Sequence, residues 1–202
     1  MMKLRKIAAG AVLFAVSAAP VLAQPVNFST LGRFISADAG CNNAVALLNV
    51  TCSIGGLSLV YSGTSASNIG SGSVVSLGGF RLTGGGGVTV IPAGQVTFEL
   101  FINQATPSVG STTFMGSVQG SNALSFVWLP MGFSRMIGST EYRVIVDDFG
   151  PAAGLGLALP ENADRGINAL VTTNVVPEPS SVALMGTGFA ALLGMALRRK
   201  NA

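Results

Sequence analysis

An alternation of apolar and polar residues over residues 95–103 restricts the fold of this chain more than any other feature. One face carries Val96, Phe98, Leu100 and Ile102, and the other carries Thr97, Glu99, Phe101 and Asn103. Successive side chains of a β-strand point to opposite faces of a sheet. The spacing therefore predicts a half-buried strand rather than a helix.

Eight other stretches show the same alternation less regularly, and clusters of Gly, Ser and Asn separate them. These predicted strands span residues 57–62, 73–77, 80–83, 88–91, 112–119, 124–129, 141–146 and 170–175. The intervening clusters span residues 62–72, 84–87, 106–111, 120–122 and 150–156. Many short strands without a convincing helix predict an all-β body, built as an antiparallel β-sandwich or a jelly roll. The spacing does not choose between these two topologies.

Residues 1–23 have the three parts of a secretory signal peptide. Three basic residues lie within the first six positions, residues 7–19 are apolar, and a small-residue cleavage site ends at Ala23. Cleavage there would leave Gln24 as the new N-terminus. The sequence therefore predicts that the chain is exported.

The C-terminal segment has three parts in a fixed order. It begins with a stiff, extended tripeptide, because each proline fixes its own φ and keeps the preceding residue out of the α region. The 18 residues 180–197 carry no charge and predict a transmembrane helix at the short end of what spans a bilayer. By the positive-inside rule, the basic end stays in the cytoplasm and the body lies outside. The tripeptide is Pro177, Glu178 and Pro179, and the basic end is Arg198, Arg199 and Lys200.

This segment, residues 176–202, resembles the PEP-CTERM sorting signal of Gram-negative bacteria. In that family a Pro-Glu-Pro motif, here Pro177, Glu178 and Pro179, precedes a transmembrane segment and a short Arg-rich end. The resemblance implies processing by a membrane enzyme called exosortase. It also implies the general secretion machinery and, in transit, the inner membrane as partners. The resemblance concerns where the protein is sorted, and it says nothing about the activity of the body.

Residues 24–175 form the remaining body, whose length suits one domain with its own core. The body has five arginines and seven carboxylates, a net charge of −2, so the positive balance of the whole chain comes from its ends. No basic patch remains to bind nucleic acid. A weakly charged surface of hydroxyl and amide groups suits an extracellular matrix component.

Cys41 and Cys52 are the only cysteines of the chain. In the oxidising compartment that the signal peptide predicts, a pair so placed forms a disulfide. Two thiols without any histidine do not complete a zinc site, so metal binding is the weaker interpretation. The sequence predicts a structural clasp.

Catalysis is restricted by the residues that the chain lacks. Without a histidine, neither a Ser-His-Asp nor a Cys-His arrangement is available, and the body contains no lysine. A glycosidase needs two carboxylates that face each other. Glu99 could meet Glu141 or Asp147 across strands, although seven carboxylates allow many accidental pairs. We predict no enzymatic activity and no cofactor.

Asp147 and Asp148 are weak candidates for a calcium site, because calcium prefers carboxylate oxygens as ligands. Their position before Phe149, Gly150 and Pro151 fits a solvated turn better, and no other metal site is predicted. Trp128, the only tryptophan, would serve as a sugar platform if it were exposed. Its apolar surroundings predict a position in the core instead.

Two hypotheses for the function follow. The first is a non-enzymatic exported protein that joins the cell surface or the extracellular matrix after exosortase has processed its tail, with exopolysaccharide as a candidate partner. The alternative is a carbohydrate-binding or glycan-cleaving β-sandwich domain. The two hypotheses differ in whether the body holds a site for sugar.

Overall fold

The computed structural model describes residues 24–84, 90–121, 123–129, 133–145, 156–159 and 161–174, together with residues 186, 188, 189, 191 and 192. The chain divides into two compact units. One unit, Ala23–Asn174, contains every described strand and is called the body below. The other unit consists of Met1–Leu22 and Val175–Ala202.

The described part of the body contains twelve strands and one short 3-10 helix, Ala39–Cys41. In chain order the strands are β1 Val26–Ser36, β2 Asn49–Ile54, β3 Leu57–Ser62, β4 Ser65–Ile69, β5 Ser73–Thr83, β6 Ile91–Thr106, β7 Gly110–Ser121, β8 Ala123–Trp128, β9 Ser134–Ile137, β10 Thr140–Ile145, β11 Gly156–Leu159 and β12 Asp164–Thr173. They form two six-stranded sheets. Sheet A has the order β11-β8-β7-β6-β1-β4, and sheet B has the order β2-β3-β5-β12-β10-β9.

Buried side chains from both sheets fill the space between them. The ring of Phe98 in sheet A lies 4.9 Å from that of Phe80 and 4.8 Å from that of Tyr61, both in sheet B, measured between centroids. Phe34 of sheet A lies 5.0 Å from Phe98. These tilted and edge-to-face arrangements are the ones that aromatic pairs prefer. The strand pairs are antiparallel, so the predicted all-β antiparallel sandwich is confirmed.

The strand predicted over residues 95–103 is the centre of β6. There the residues from Val96 to Gln104 alternate between buried and half-buried, and Phe98, Leu100 and Ile102 are fully buried. Its neighbours β1 and β7 pair with it over most of its length. The strongest periodic signal in the sequence therefore marks the longest described strand, in the middle of sheet A.

Residues 73–77 and 80–83, predicted as two strands, form the single strand β5. The two predicted strands were separated by Gly78 and Gly79. Gly78 has a φ of +111°, and a side chain there would come within 2.7 Å of the Tyr61 hydroxyl. The register with β12 shifts at this point. The glycine therefore marks a bulge that admits Tyr61, and the strand continues beyond it.

The prediction of a loop over residues 62–72 was wrong, because this segment contains β4. The sequence Ser-Ala-Ser-Asn-Ile offers little alternation, and Asn68 has a φ of +61°. β4 is a strand because its backbone pairs with β1 at the edge of sheet A. Four other strands, β1, β2, β9 and β11, were not predicted either.

Candidate functional site

Glu99 lies on the outer face of sheet A and is neutralised by Arg33 of the neighbouring strand. Arg33 Nε donates a hydrogen bond of 2.9 Å to Glu99 Oε2, and Arg33 Nη2 contacts the same oxygen. The Arg33 guanidinium also lies 5.7 Å from the centroid of the Phe101 ring. Charge-assisted hydrogen bonds of this kind are stronger than neutral ones, and this pair joins β1 to β6 on the outer face of the sheet.

Glu141 lies on the outer face of the other sheet. Its carboxylate accepts a hydrogen bond from Ser134 and one of 3.3 Å from Thr172 Oγ1. Because Glu99 and Glu141 face outwards from sheets A and B, the whole core lies between them. These two carboxylates, which the sequence left free to meet across strands, therefore do not meet. Asp147, the other proposed partner of Glu99, lies outside the described residues.

Trp128 is buried, with 6% of its surface exposed. Its ring makes an edge-to-face contact with Phe126, at 4.6 Å between centroids, and lies 6.0 Å from the ring of Phe114. Its predicted position in the core is confirmed. A sugar needs an exposed aromatic face to stack on, so Trp128 does not provide a platform for it.

Both tyrosines of the chain are buried and have bonded hydroxyl groups. Tyr61 donates to the carbonyl oxygen of Leu77 at 2.7 Å and lies 3.1 Å from Thr30 Oγ1. Tyr142 donates to Gln104 Oε1 at 2.8 Å. Desolvation raises the pKa of Tyr61 to about 12, against a lowering by the Thr30 hydrogen bond, and desolvation also raises the pKa of Tyr142. These hydroxyls remain protonated donors at neutral pH.

One cavity lies between the sheets at the end that contains the turn of Gly55 and Gly56. Its volume is about 10 Å³, room for about one water molecule. Its walls are apolar, and they consist of Cys52, Ile54, Leu57, Leu59, Leu82, Ile91, Val118 and Leu124. Ligand pockets are usually more than ten times larger and contain a few polar groups, so this cavity does not fit a substrate.

The weak calcium candidates Asp147 and Asp148 lie outside the described residues. Within the ranges that the structure does describe, no three side chains of the types His, Cys, Asp and Glu come together as a metal site. A second ion pair joins Arg81 and Asp164 at 3.8 Å, with both side chains more than half exposed. Such a surface pair contributes little to stability.

Cys41 and Cys52 form a disulfide, as the sequence predicts. Cys41 ends the 3-10 helix that follows β1 of sheet A, and Cys52 lies in β2, an edge strand of sheet B. The disulfide therefore ties a loop of one sheet to the edge of the other. The loop that it closes carries three exposed aliphatic side chains, those of Val45, Leu47 and Leu48.

The chain enters and leaves the body at the same end of the sandwich. At the entry, Thr106 Oγ1 donates to the carbonyl oxygen of Pro25 at 3.0 Å. At the exit, the amide of Asn174 donates to the carbonyl oxygen of Ser139 at 2.8 Å. We call this end the junction pole. It comprises residues 24–27, 68–73, 105–111, 137–140 and 172–174.

Hydrogen bonds across the two sheets hold the junction pole together. The Ser108 hydroxyl, in the turn between β6 and β7, donates to the carbonyl oxygen of Ile137 in sheet B at 3.4 Å. The amide of Thr173 donates to Ser71 Oγ at 2.9 Å. Gly138 has a φ of +59° and packs against Ser108 so closely that no side chain fits between them. The two hairpin turns of this pole are therefore in direct contact.

Comparison with known protein families identifies the C-terminal segment. Residues 175–200 match the family model of the PEP-CTERM protein-sorting motif. The chain carries a PEP-CTERM sorting signal. This signal implies export, transit through the membrane and processing by exosortase. Searches of curated proteins and of solved structures gave no match for the chain.

The PEP-CTERM signal begins directly after Asn174, the last described residue of the body. Its motif residues Pro177, Glu178 and Pro179 and its basic end Arg198, Arg199 and Lys200 lie outside the described residues, as do Ala23 and the rest of the predicted signal peptide. The described residues of the segment, between Gly186 and Leu192, are helical. Among all described residues, no helix has the length and hydropathy of a membrane span.

Sequence reasoning missed the junction pole. The cluster over residues 106–111 was correctly expected as a turn, and its Pro, Ser and Gly content is the local signal. Nothing local shows that this turn lies beside the two ends of the body, because β1, β6 and β12 meet there only through the arrangement of the sheets.

Proposed function

We propose that this PEP-CTERM protein is an exported, non-enzymatic component of the cell surface or of the exopolysaccharide matrix. The observation that carries the proposal is the match of residues 175–200 to the sorting motif. The motif implies export and processing by exosortase. The proposal adds the final location of the protein and the role of the body.

The geometry of the described body supports a non-enzymatic role. Glu99 is occupied by Arg33, and Glu141 lies on the opposite face of the sandwich. The cavity beside Cys52 has room for about one water molecule. A glycosidase needs two carboxylates about 5 to 10 Å apart across a cleft, and these features do not provide them.

Exposed apolar side chains on the disulfide-closed loop support an adhesive role. Val45 is 59% exposed, and Leu47 and Leu48 are about half exposed. Aliphatic groups on a loop that is fixed at both ends present apolar area to another surface at little cost in chain entropy. Such contacts suit a matrix in which weak interactions between many copies add up.

The sorting part of the proposal is tested by the intact mass of the protein in the surface and matrix fractions. We expect a species that begins at Gln24 and ends near Pro177, Glu178 or Pro179. Glu178→Ala should leave the protein unprocessed in the inner membrane, whereas Glu161→Ala, at an exposed glutamate of the body, should be processed normally. Normal processing of Glu178→Ala, or a surface species that retains Leu197 and Arg198, would reject exosortase-dependent sorting.

The role of the body is tested with exopolysaccharide purified from the producing cells. We expect the processed protein to be retained on this polysaccharide without releasing sugar. Release of reducing ends that Glu99→Gln abolishes would show that the body is an enzyme. Absence of retention would remove exopolysaccharide as the partner and leave the surface location to the mass measurement.

A further inference from the structure

The tether between the body and the predicted membrane span is short. Asn174 is hydrogen-bonded to Ser139, and only the five residues 175–179 separate it from the uncharged run that begins at Ser180. Five residues extend over at most about 18 Å. The sandwich is longer than this, since the nine residues of β6 that pair without interruption with β7, from Val96 to Gln104, span about 30 Å. If the span is inserted, the junction pole is the end of the body that stays near the bilayer.

The junction pole has the composition of a surface that can rest on lipid headgroups. Its five segments, residues 24–27, 68–73, 105–111, 137–140 and 172–174, contain no Asp, Glu, Lys or Arg. The ten described charged residues of the body lie outside these segments, but Glu141 borders them, and its carboxylate accepts a hydrogen bond from Thr172 Oγ1 of the pole. Hydroxyl and amide groups form hydrogen bonds with headgroups, and the carboxylate of Glu141 at the border is already held by Ser134 and Thr172, which limits repulsion of anionic lipids.

The most exposed large apolar side chain among the described residues also lies at this pole. Val109, at the tip of the turn between β6 and β7, is 88% exposed. The turn is held by Gln104, whose Nε2 donates to the carbonyl oxygen of Ser108 at 2.9 Å, and by the contact of Ser108 with Ile137. A fixed turn with an apolar tip is suited to insertion of one side chain between headgroups.

We propose that the junction pole is a membrane-resting surface: before processing it lies on the phospholipid headgroups of the membrane that holds the tail, with Val109 in the interface. The inference rests on the proposed sorting function, because the tail must first hold the body at the membrane. It also gives the body a direction, with the turn of Gly55 and Gly56 pointing away from the bilayer.

The test uses the full chain in vesicles of phosphatidylethanolamine and phosphatidylglycerol. A photo-crosslinking amino acid is placed at Val109 or, as a matched control, at Val90, which is 60% exposed at the opposite end. We expect several-fold more lipid adduct from position 109 than from position 90. Equal adduct formation at the two positions in vesicle-bound protein would overturn the inference.

A lengthened tether provides the second measurement. A Gly/Ser insert of about 30 residues after Asn174 adds a mean reach of about 30 Å and lets the body leave the surface. We expect lipid adducts at position 109 to fall towards the level at position 90, while the chain still floats with the vesicles. If the insert does not change the amount of lipid adduct at position 109, the short tether is not what holds the junction pole at the membrane.

Flotation separates the two possible failures. If the full chain does not float with the vesicles, the tail does not anchor it, and both the sorting proposal and this inference fall. If the chain floats but position 109 gives no more adduct than position 90, only the membrane-resting surface is rejected.

Discussion

The two ends of the sandwich are closed in different ways. At the junction pole, hydrogen bonds join turns of both sheets, from Tyr142 through Gln104 and Ser108 to Ile137. At the opposite end, which we call the far pole, the turn of Gly55 and Gly56 lies beside an apolar cavity. The far pole has the exposed ion pair of Arg81 and Asp164 near its rim, whereas the carboxylate that borders the junction pole, Glu141, is hydrogen-bonded to Thr172.

This difference shows that the two ends of the body are stabilised by different kinds of interaction. The end where the chain leaves is specified by polar contacts that have direction, which fixes the positions of Pro25 and Asn174. The far pole is stabilised by burial, which has no direction, and by the nearby disulfide. The two ends should therefore respond differently to reduction, to removal of a hydroxyl group and to high pH.

Removal of the disulfide should have the largest effect, and it should act at the far pole. Cys41→Ser combined with Cys52→Ser is expected to lower the free energy of unfolding by about 3 kcal/mol, because the open loop has more freedom in the unfolded chain. Urea unfolding measures the change, with Ser53→Ala on the exposed side of the same strand as control. We expect amide exchange to increase at Gly55 and Gly56 and not at Ser108. Uniformly faster exchange at both poles would contradict the distinction between them.

Tyr142→Phe should have the next largest effect, and it should act at the junction pole. The change leaves the buried Gln104 Oε1 without its donor, which typically costs about 1–3 kcal/mol. We expect faster amide exchange in the turn around Val109, which Gln104 holds through Ser108.

Tyr61→Phe is the matched control for this variant. Tyr61 is equally buried and also loses hydrogen bonds, but its partners Leu77 and Thr30 lie away from that turn. If both variants loosen the turn equally, the hydrogen bonds of Tyr142 do not hold the junction pole.

Alkaline pH should have no effect near neutrality and an effect that grows with each pH unit above 10, and this effect should depend on the buried tyrosines. Burial raises the pKa of Tyr61 to about 12 and raises that of Tyr142, against 10.0 for a free tyrosine. Above pH 10 the folded state keeps protons that the unfolded state loses, so stability falls as pH rises, by up to about 1.4 kcal/mol per pH unit for each tyrosine. Below pH 10 neither group contributes a slope.

Urea unfolding between pH 8 and 12, followed together with tyrosinate absorbance, measures this dependence. Tyr142→Phe should remove about half of the slope, because one of two buried tyrosines is gone. A slope that begins well below pH 10, or that Tyr142→Phe leaves unchanged, would show that other groups cause the alkaline loss.

Local pattern predicted those parts of the fold whose signals are local. The alternation around Phe98 marked β6, because a strand with one buried face repeats every two residues. The pairing of Cys41 with Cys52 followed from an exported chain with two cysteines. Where the local signal was weak, prediction failed, as for β4, whose small polar residues form a strand only because β1 lies beside them.

The sequence by itself determined the all-β class, the disulfide and the sorting signal, since periodicity, cysteine count and a linear motif can be read without knowing which segments meet. Only the tertiary structure decided that Glu99 and Glu141 lie on opposite faces, that Gly78 admits Tyr61, and that both ends of the body meet at the junction pole. Each of these depends on which sheet a strand joins. That choice is made by contacts between residues far apart in the chain, such as Asn27 with Thr106 and Thr173 with Ser71.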